Sequence, residues 1–150
     1  MTKAVAMQIV FDTCKGQGLT NFQAALIYSQ GLQESGYDSH VFETDNNAFG
    51  MKMPKKRVSQ YIAGKGLPAP VNESFPHDPY NFYARYTSLQ NSVLDLLDRH
   101  KSFNINWSTI TTVKAYIDFC ISTQYFQGSP SIYESNVAHF LAKYGDGGAA

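Results

Sequence analysis

Apolar residues in the first third of the chain recur at the spacing of amphipathic helices. Residues 4–14 form one such pattern, and a second pattern follows Thr20. The Thr20 hydroxyl and Gln23 fit the T-x-x-Q capping box that marks a helix start. Because glycine usually occupies the position just past a helix end, we expect the second helix to stop at Ser35-Gly36. The pattern therefore predicts two helices in this region.

The helical period disappears between residues 37 and 79. Turn-forming residues concentrate there, including five of the six prolines of the chain. We predict short strands at Ala48–Met53 and Arg57–Ile62 within an otherwise irregular segment.

Three more helices are predicted after this segment. A second T-x-x-Q box, Thr87 with Gln90, starts the first of them, and an S-x-x-E box, Ser131 with Glu134, starts the last. The middle helix spans about residues 110–125. Its residues expected to face the core are Val113, Tyr116, Ile117, Cys120 and Ile121. Those expected to do so in the last helix are Tyr133, Val137, Phe140, Leu141 and Tyr144.

These elements predict a single domain of the α+β class, mainly α, over residues 1–144. Residues 37–86 would form a small irregular, β-containing lobe inserted between the helices, and residues 145–150 a flexible tail. A helical body beside such a lobe leaves a cleft, which is where ligands usually bind.

The composition argues against some classes of function. A content of 43% hydrophobic and 16% charged residues is ordinary for a globular protein. The formal net charge is zero, which argues against a nucleic-acid partner. No stretch approaches the 18 or more apolar residues of a membrane span, and residues 1–10 do not resemble a signal peptide. We expect synthesis in the cytoplasm, with another component providing export if the protein acts outside.

Neither the cysteines nor the histidines indicate a metal site. Cys14 and Cys120 match no C-x-x-C or zinc spacing and fall within apolar helical patterns. Two buried free thiols are the favoured state, and a disulfide between the first and fourth helices stays open as the alternative. The four histidines show no ligand spacing, so neither a metal nor a cofactor is predicted.

Glu34 is the candidate with a physical reason for unusual chemistry. It lies in the last turn of a predicted helix, where the negative end of the helix dipole disfavours a carboxylate. A carboxyl group with a raised pKa is what general acid catalysis near neutral pH requires. From position alone, a solvated glutamate at a frayed helix end is the alternative.

Several segments resemble one enzyme family. Gln33-Glu34-Ser35-Gly36-Tyr37, followed by Asn46-Asn47-Ala48-Phe49-Gly50-Met51-Lys52, resembles the motifs of glycoside hydrolase family 73, the glucosaminidase-type peptidoglycan hydrolases. The segment Tyr83-Ala84-Arg85-Tyr86-Thr87-Ser88, with Ser92 and Asp95 after it, resembles the F-R-x-Y-x-S and S-x-x-D patterns of the family. The helix from Tyr133 to Tyr144 resembles its closing Y-x-x-x-V helix. The resemblance covers nearly the whole chain in the same order.

The resemblance implies a lysozyme-like fold and hydrolysis of a β-1,4 glycosidic bond in peptidoglycan, by an endo-β-N-acetylglucosaminidase. Glu34 matches the acid of the family, which would protonate the leaving oxygen. Tyr86 matches the cleft tyrosine, whose hydroxyl could position water or stabilise the oxocarbenium-like transition state. Tyr86 could instead simply pack where the lobe meets the helices.

Glycosidases usually need a second carboxylate. The resemblance points to Glu73, although the T-x-E pattern that precedes this glutamate in the family is absent here. Glu43, Asp45 and Asp78 stay open as alternatives. The 2-acetamido group of the substrate itself could also supply the nucleophile.

The expected partner is the glycan strand of peptidoglycan. Side chains predicted to contact it, through aromatic faces, amide groups or charge, are Asn47, Phe49, Lys52, Tyr61 and Tyr83. Alternative functions are a muramidase, a lytic transglycosylase of the same fold, and a non-catalytic glycan-binding virion component. Such a domain would suit a phage lysis or virion-associated enzyme, or an effector exported by a dedicated secretion assembly, acting on the bacterial cell wall.

Overall fold

The structure, a computed structural model, describes residues 1–51, 71–72, 84–125 and 129–144. These ranges are mainly helical, as predicted. The helices are α1 (Lys3–Gly16), α2 (Asn21–Glu34), α3 (His40–Asp45), α4 (Leu89–Ser102), α5 (Val113–Ser122) and α6 (Pro130–Tyr144). A 3-10 turn, Trp107–Thr109, precedes α5. Two short strands, β1 (Val71–Asn72) and β2 (Ala84–Arg85), pair antiparallel, with Val71 opposite Arg85 and Asn72 opposite Ala84.

The start and end of α2 follow the sequence pattern. The Thr20 hydroxyl accepts a hydrogen bond from the Gln23 backbone N–H at 3.1 Å, and the Gln23 side chain accepts one from the Thr20 N–H at 3.0 Å. After Glu34 the chain turns at Gly36, whose φ of 65° is a conformation that glycine adopts without strain. The predicted capping box and the predicted end of the helix are both confirmed.

Two predictions within residues 37–53 are wrong. A short helix, α3, is present where none was predicted, with the Ser39 hydroxyl capping its N-terminus. The described part of the predicted strand Ala48–Met53, residues 48–51, is not a strand. Its hydrogen bonds close a turn instead, because the Asn47 side chain bonds both the N–H and the carbonyl oxygen of Met51, and that oxygen also accepts from the Ala84 N–H at 2.9 Å. The predicted strand Arg57–Ile62 lies outside the described residues.

The caps of the later helices differ from the sequence prediction by one or two residues. Ser88, not Thr87, caps α4, because its hydroxyl accepts from the Asn91 backbone N–H at 3.1 Å. The Thr87 hydroxyl instead binds the Asn91 side chain. Helix α6 begins at Pro130, because the fixed φ of proline suits the first helical position and no N–H is needed there.

Helix α5 is shorter than predicted at both ends. The Thr112 hydroxyl caps it at Val113, and residues 107–109 form the separate 3-10 turn. Of the residues expected to face the core, Tyr116, Ile117 and Cys120 are buried, whereas Ile121 is exposed, which corrects that assignment. Ile121 lies at the edge of the buried stripe, because the helix period places it further from Tyr116 and Cys120 than Ile117 is.

Helix α2 lies at the centre of the described core. It packs against both α1 and α6, while α1 also packs against α4 and α5 against α6. Ten consecutive residues of α2, from Gln23 to Leu32, are buried. A helix that is buried on all sides holds its C-terminal residue, Glu34, in a fixed position relative to its neighbours.

Both cysteines are free and buried, Cys14 on α1 and Cys120 on α5, which confirms the favoured prediction. Burial raises the pKa of each thiol to about 12.

Candidate active site

Glu34 is an accessible residue whose carboxyl group is nevertheless crowded by protein. Oε1 accepts a hydrogen bond of 2.8 Å from the Tyr133 hydroxyl. Oε2 lies 3.8 Å from the position that a Cβ atom on Gly50 would take. Burial raises the pKa of Glu34, and the hydrogen bond from Tyr133 opposes this rise. The combination of access and raised pKa suits a group that exchanges a proton with a bound molecule.

Tyr133 reaches Glu34 from the first turn of α6. Its side chain is buried, and burial together with the nearby Glu34 charge raises the pKa of its hydroxyl. The hydroxyl therefore stays protonated and acts as a hydrogen-bond donor to the carboxyl group. The sequence pattern predicted only a core position for Tyr133, and the available signal was its place in the segment that resembles the closing helix of the family.

A rigid turn brings Gly50 beside Glu34. The Asn47 side-chain amide donates to the backbone oxygens of Met51 (2.9 Å) and Ala84 (2.8 Å), and its oxygen accepts from the Met51 N–H (3.0 Å). The Ala48 N–H donates to the Ser92 hydroxyl at 3.3 Å, which ties the turn to α4. Gly50 has a φ of 63°, so this position favours glycine for its backbone conformation as well as for its closeness to the carboxylate.

A second tyrosine, Tyr125, braces the same turn. Its hydroxyl donates to the Phe49 carbonyl oxygen at 2.6 Å. The Arg99 guanidinium carbon lies 4.8 Å from the centre of the Tyr125 ring and 4.7 Å from that of Phe103, and Arg99 also donates to the Thr123 carbonyl at 2.7 Å. Burial, then the Glu34 charge, raises the pKa of Tyr125. No motif in the sequence indicated Tyr125, because its role depends on a contact 76 residues away.

Tyr86 is buried and its hydroxyl donates to the carboxylate of Asp95 on α4. Its backbone is held on both sides, since its N–H donates to the Asp45 carbonyl at 2.8 Å and its carbonyl accepts from the Asn46 side chain at 3.0 Å. Tyr86 thus packs where the strand pair meets α4, and its catalytic role stays a prediction.

The candidates for a second carboxylate divide into described and undescribed residues. Asp45 is fully buried and its Oδ1 accepts from Arg85 Nε at 2.9 Å, so it already serves as the partner of that arginine. Glu43 is exposed in the first turn of α3. Glu73 and Asp78 lie outside the described residues.

Of the five residues predicted to contact a glycan, two lie within the described residues and three lie outside them. Asn47 and Phe49 are buried at 1% and 2% exposure, so in this structure they shape the turn rather than present a surface. Lys52, Tyr61 and Tyr83 lie outside the described residues. Direct contact of these five residues with a glycan stays a prediction.

Neither a metal site nor a membrane-spanning helix is present within the described residues. No group of three or more potential ligands among His, Cys, Asp and Glu lies close enough to hold a metal ion in residues 1–51, 71–72, 84–125 and 129–144. Across the same ranges, no helix has the length and apolar character needed to cross a membrane.

Comparisons of the chain with protein-family models, with curated proteins and with solved structures found no match.

Proposed function

We propose that this protein is a peptidoglycan hydrolase that cleaves a β-1,4 glycosidic bond of the bacterial cell wall, acting as an endo-β-N-acetylglucosaminidase. The observation that carries the proposal is the Glu34 carboxyl group, which is accessible, has a raised pKa and is oriented by the Tyr133 hydroxyl. The proposal includes a lysozyme-like arrangement, with the substrate cleft between the helical body and the lobe of residues 37–86.

Glu34 would act as the general acid. Its proton moves to the glycosidic oxygen while the bond between that oxygen and the sugar C1 breaks. The carboxyl group becomes negatively charged in this step, and the hydrogen bond from Tyr133 stabilises the charge as it forms. Water then adds to C1 and gives up a proton to a base.

The nucleophile or base of the second step is proposed to be Glu73, and the 2-acetamido group of the substrate is the alternative. Glu43 and Asp45 are less suitable. Asp45 is fully buried in its pair with Arg85, and Glu43 is exposed to solvent in the first turn of α3.

The motifs around Glu34 also support this choice of reaction. The segment from Gln33 to Tyr37 ends α2, and the segment from Asn46 to Met51 forms the turn that reaches Oε2 of Glu34. The two segments that resemble glycoside hydrolase family 73 in sequence are therefore neighbours in space.

Replacement of Glu34 by Gln tests the proposal. Glutamine keeps the size of the side chain and can still accept from Tyr133 but has no proton of comparable acidity to transfer. We expect clearing of purified cell walls to fall by about 10²–10⁴-fold, the usual contribution of general acid catalysis. The matched control is Glu134→Gln, the same change at the residue beside Tyr133, which should clear walls as the natural protein does.

Equal clearing by the natural protein and Glu34→Gln would rule out Glu34 as the acid. Mass spectrometry of the fragments then separates the enzyme classes. Reducing-end N-acetylglucosamine is expected, whereas reducing-end N-acetylmuramic acid indicates a muramidase and anhydro-muramic ends indicate a lytic transglycosylase. Glycan binding without any released fragment indicates a non-catalytic module.

A further inference from the structure

The turn beside the candidate acid is anchored on both sides of Gly50. On one side, the Met51 carbonyl oxygen accepts a hydrogen bond of 2.9 Å from the Ala84 N–H, which ties the turn to β2. On the other side, the Phe49 carbonyl oxygen accepts one of 2.6 Å from the Tyr125 hydroxyl. Because the residues before and after Gly50 are both held, its backbone has little freedom to move away from the carboxyl group that it faces.

Loss of the Tyr125 hydroxyl would leave the Phe49 carbonyl oxygen without this donor. Phe49 is buried, so water reaches its carbonyl poorly in this structure. A buried acceptor without a donor is unfavourable, and the chain would move to let water bind it. Gly50 follows Phe49 directly, and its added Cβ position now lies 3.8 Å from Oε2 of Glu34. The same movement would therefore open a path for water to that oxygen.

The Tyr125 side chain is itself held in place by the end of α5 and by α4. Its N–H donates to the Cys120 carbonyl at 2.9 Å, and Gln124 before it has a φ of 56°, which turns the chain back over the helix end. Arg99 on α4 holds this turned segment, because its guanidinium group donates to the Thr123 hydroxyl at 3.0 Å and contacts the Tyr125 ring. The hydroxyl therefore reaches the Phe49 carbonyl from a fixed support.

The groups that face Glu34 show what controls its ionisation. Tyr133 on α6, Cys120 on α5 and Tyr125 all lie close enough for the charge of Glu34 to raise their pKa. Each of the three is neutral at neutral pH, since burial also raises its pKa. Burial is the larger influence on the pKa of Glu34 itself, so this pKa depends on how closely the protein, including the Gly50 turn, covers the carboxyl group.

We infer that Tyr125 is a positioning residue for the general acid: its hydroxyl holds the Gly50 turn against Oε2 of Glu34 and so limits the water that reaches the carboxyl group. The consequence for catalysis rests on the proposed function, whereas the effect on the carboxyl group does not. Tyr125 and Tyr133 then act on Glu34 in opposite directions. Tyr133 donates directly to the carboxylate and stabilises its charge, whereas Tyr125 keeps solvent away from it.

Tyr125→Phe tests the inference, because it keeps the ring and removes only the hydroxyl. The ¹³C NMR titration of the Glu34 carboxyl carbon, assigned by the loss of its signal in Glu34→Gln, gives the pKa directly. We expect this pKa to fall towards the ordinary value of a glutamate, because the released turn admits water. The opposite shift is expected from Tyr133→Phe, which removes a direct donor, so the two variants distinguish solvent exclusion from hydrogen bonding.

Kinetics on solubilised glycan strands measure the consequence for catalysis. A general acid works in its protonated form, so the alkaline limb of the kcat/KM profile of Tyr125→Phe should move to lower pH. We expect kcat to fall by up to about 10²-fold, the scale of a misplaced catalytic group, and KM to stay within about twofold.

Tyr28→Phe is the matched control. It also removes a tyrosine hydroxyl that donates to a backbone carbonyl, but that carbonyl belongs to Lys3. The control should leave the titration of Glu34 unchanged. Arg99→Lys serves if Tyr125→Phe does not fold, because lysine keeps the positive charge but lacks the planar fork that holds Thr123. It should move the titration in the same direction by a smaller amount.

A titration of Glu34 that is unchanged or moved to higher pH in Tyr125→Phe overturns the inference, and so does an equal shift in Tyr28→Phe. Where Arg99→Lys has to be used, an unchanged titration in that variant overturns it. Failure of the proposed function is observed separately, as equal wall clearing by the natural protein and Glu34→Gln, and the titration does not depend on that result.

Discussion

At the scale of single residues, the hydrogen bond from Tyr133 to Glu34 has an effect that can be measured. It stabilises the ionised carboxylate and so holds the pKa of Glu34 below the value that burial alone would give. In Tyr133→Phe the ring stays and this hydrogen bond is lost, so the pKa of Glu34 should rise. A general acid works in its protonated form. We therefore expect the alkaline limb of the kcat/KM profile to move to higher pH.

The same change can be followed without activity, by the ¹³C NMR titration of the Glu34 carboxyl carbon. Tyr28→Phe is the matched control, because it removes a tyrosine hydroxyl whose hydrogen bond goes to the Lys3 carbonyl at 3.4 Å, far from Glu34 along α2. A titration of Glu34 that is unchanged, or moved to lower pH, in Tyr133→Phe would show that Tyr133 does not set its ionisation.

His100 makes the stability of the protein depend on pH. It is fully buried, accepts from Arg99 at Nδ1 (3.3 Å) and donates from Nε2 to the Tyr116 hydroxyl (2.8 Å), which in turn donates to Gln30. This network fits a neutral imidazole. Burial, then the Arg99 charge, lowers the pKa of His100 to about 3.

The unfolded chain binds a proton at His100 below pH ~6.5, whereas the folded protein does not until about pH 3. The free energy of unfolding should therefore fall as the pH decreases through this window, by on the order of 2 kcal/mol between pH 7.5 and pH 5 from this residue. Urea unfolding at the two pH values measures it. His100→Gln should flatten the dependence, whereas His139→Gln, at an exposed position, should keep it.

At the scale of elements, α2 depends on a glycine in its buried middle. A Cβ atom on Gly31 would collide with the Tyr37 hydroxyl, which donates to the Tyr28 carbonyl at 3.0 Å. Alanine favours a helix over glycine by about 1 kcal/mol, but overpacking of a core costs about 1–3 kcal/mol. We expect Gly31→Ala to lower the free energy of unfolding, measured by urea denaturation.

Gly16→Ala is the control for this prediction. Gly16 is the last residue of α1, and no atom lies within 4 Å of the position of an added Cβ. The Gly16→Ala substitution should leave the free energy of unfolding unchanged or raise it slightly. Equal effects of the two substitutions would show that the contact between Gly31 and Tyr37 does not limit packing.

The sequence predicted the elements that are held by interactions between residues close together in the chain. The capping box of Thr20 and Gln23 acts over three residues, so it was visible in the pattern. The turn held by Asn47 needs the Ala84 carbonyl, 37 residues away, and it replaced the predicted strand. Glu34 was identified from its helix end and its motif. The donor that orients it, Tyr133, is 99 residues away and was predicted only as a core residue.

At the scale of the whole molecule, the described helices share one hydrophobic core, to which α1, α2, α4, α5 and α6 all contribute. A protein with one core unfolds as a unit. We expect the urea transition followed by Trp107 emission, near the start of α2, to coincide with the loss of helical circular dichroism. Two separate transitions would contradict the prediction of a single domain.

The reactivity of the two buried thiols can report how often the helices open. A thiol reacts as the thiolate, and with the pKa of Cys14 and Cys120 raised to about 12, almost none is present at neutral pH in the closed structure. An alkylating reagent can therefore modify these cysteines only in molecules whose helices have come apart. The rate of labelling would therefore measure how often α1 and α5 open under conditions where the protein is otherwise native.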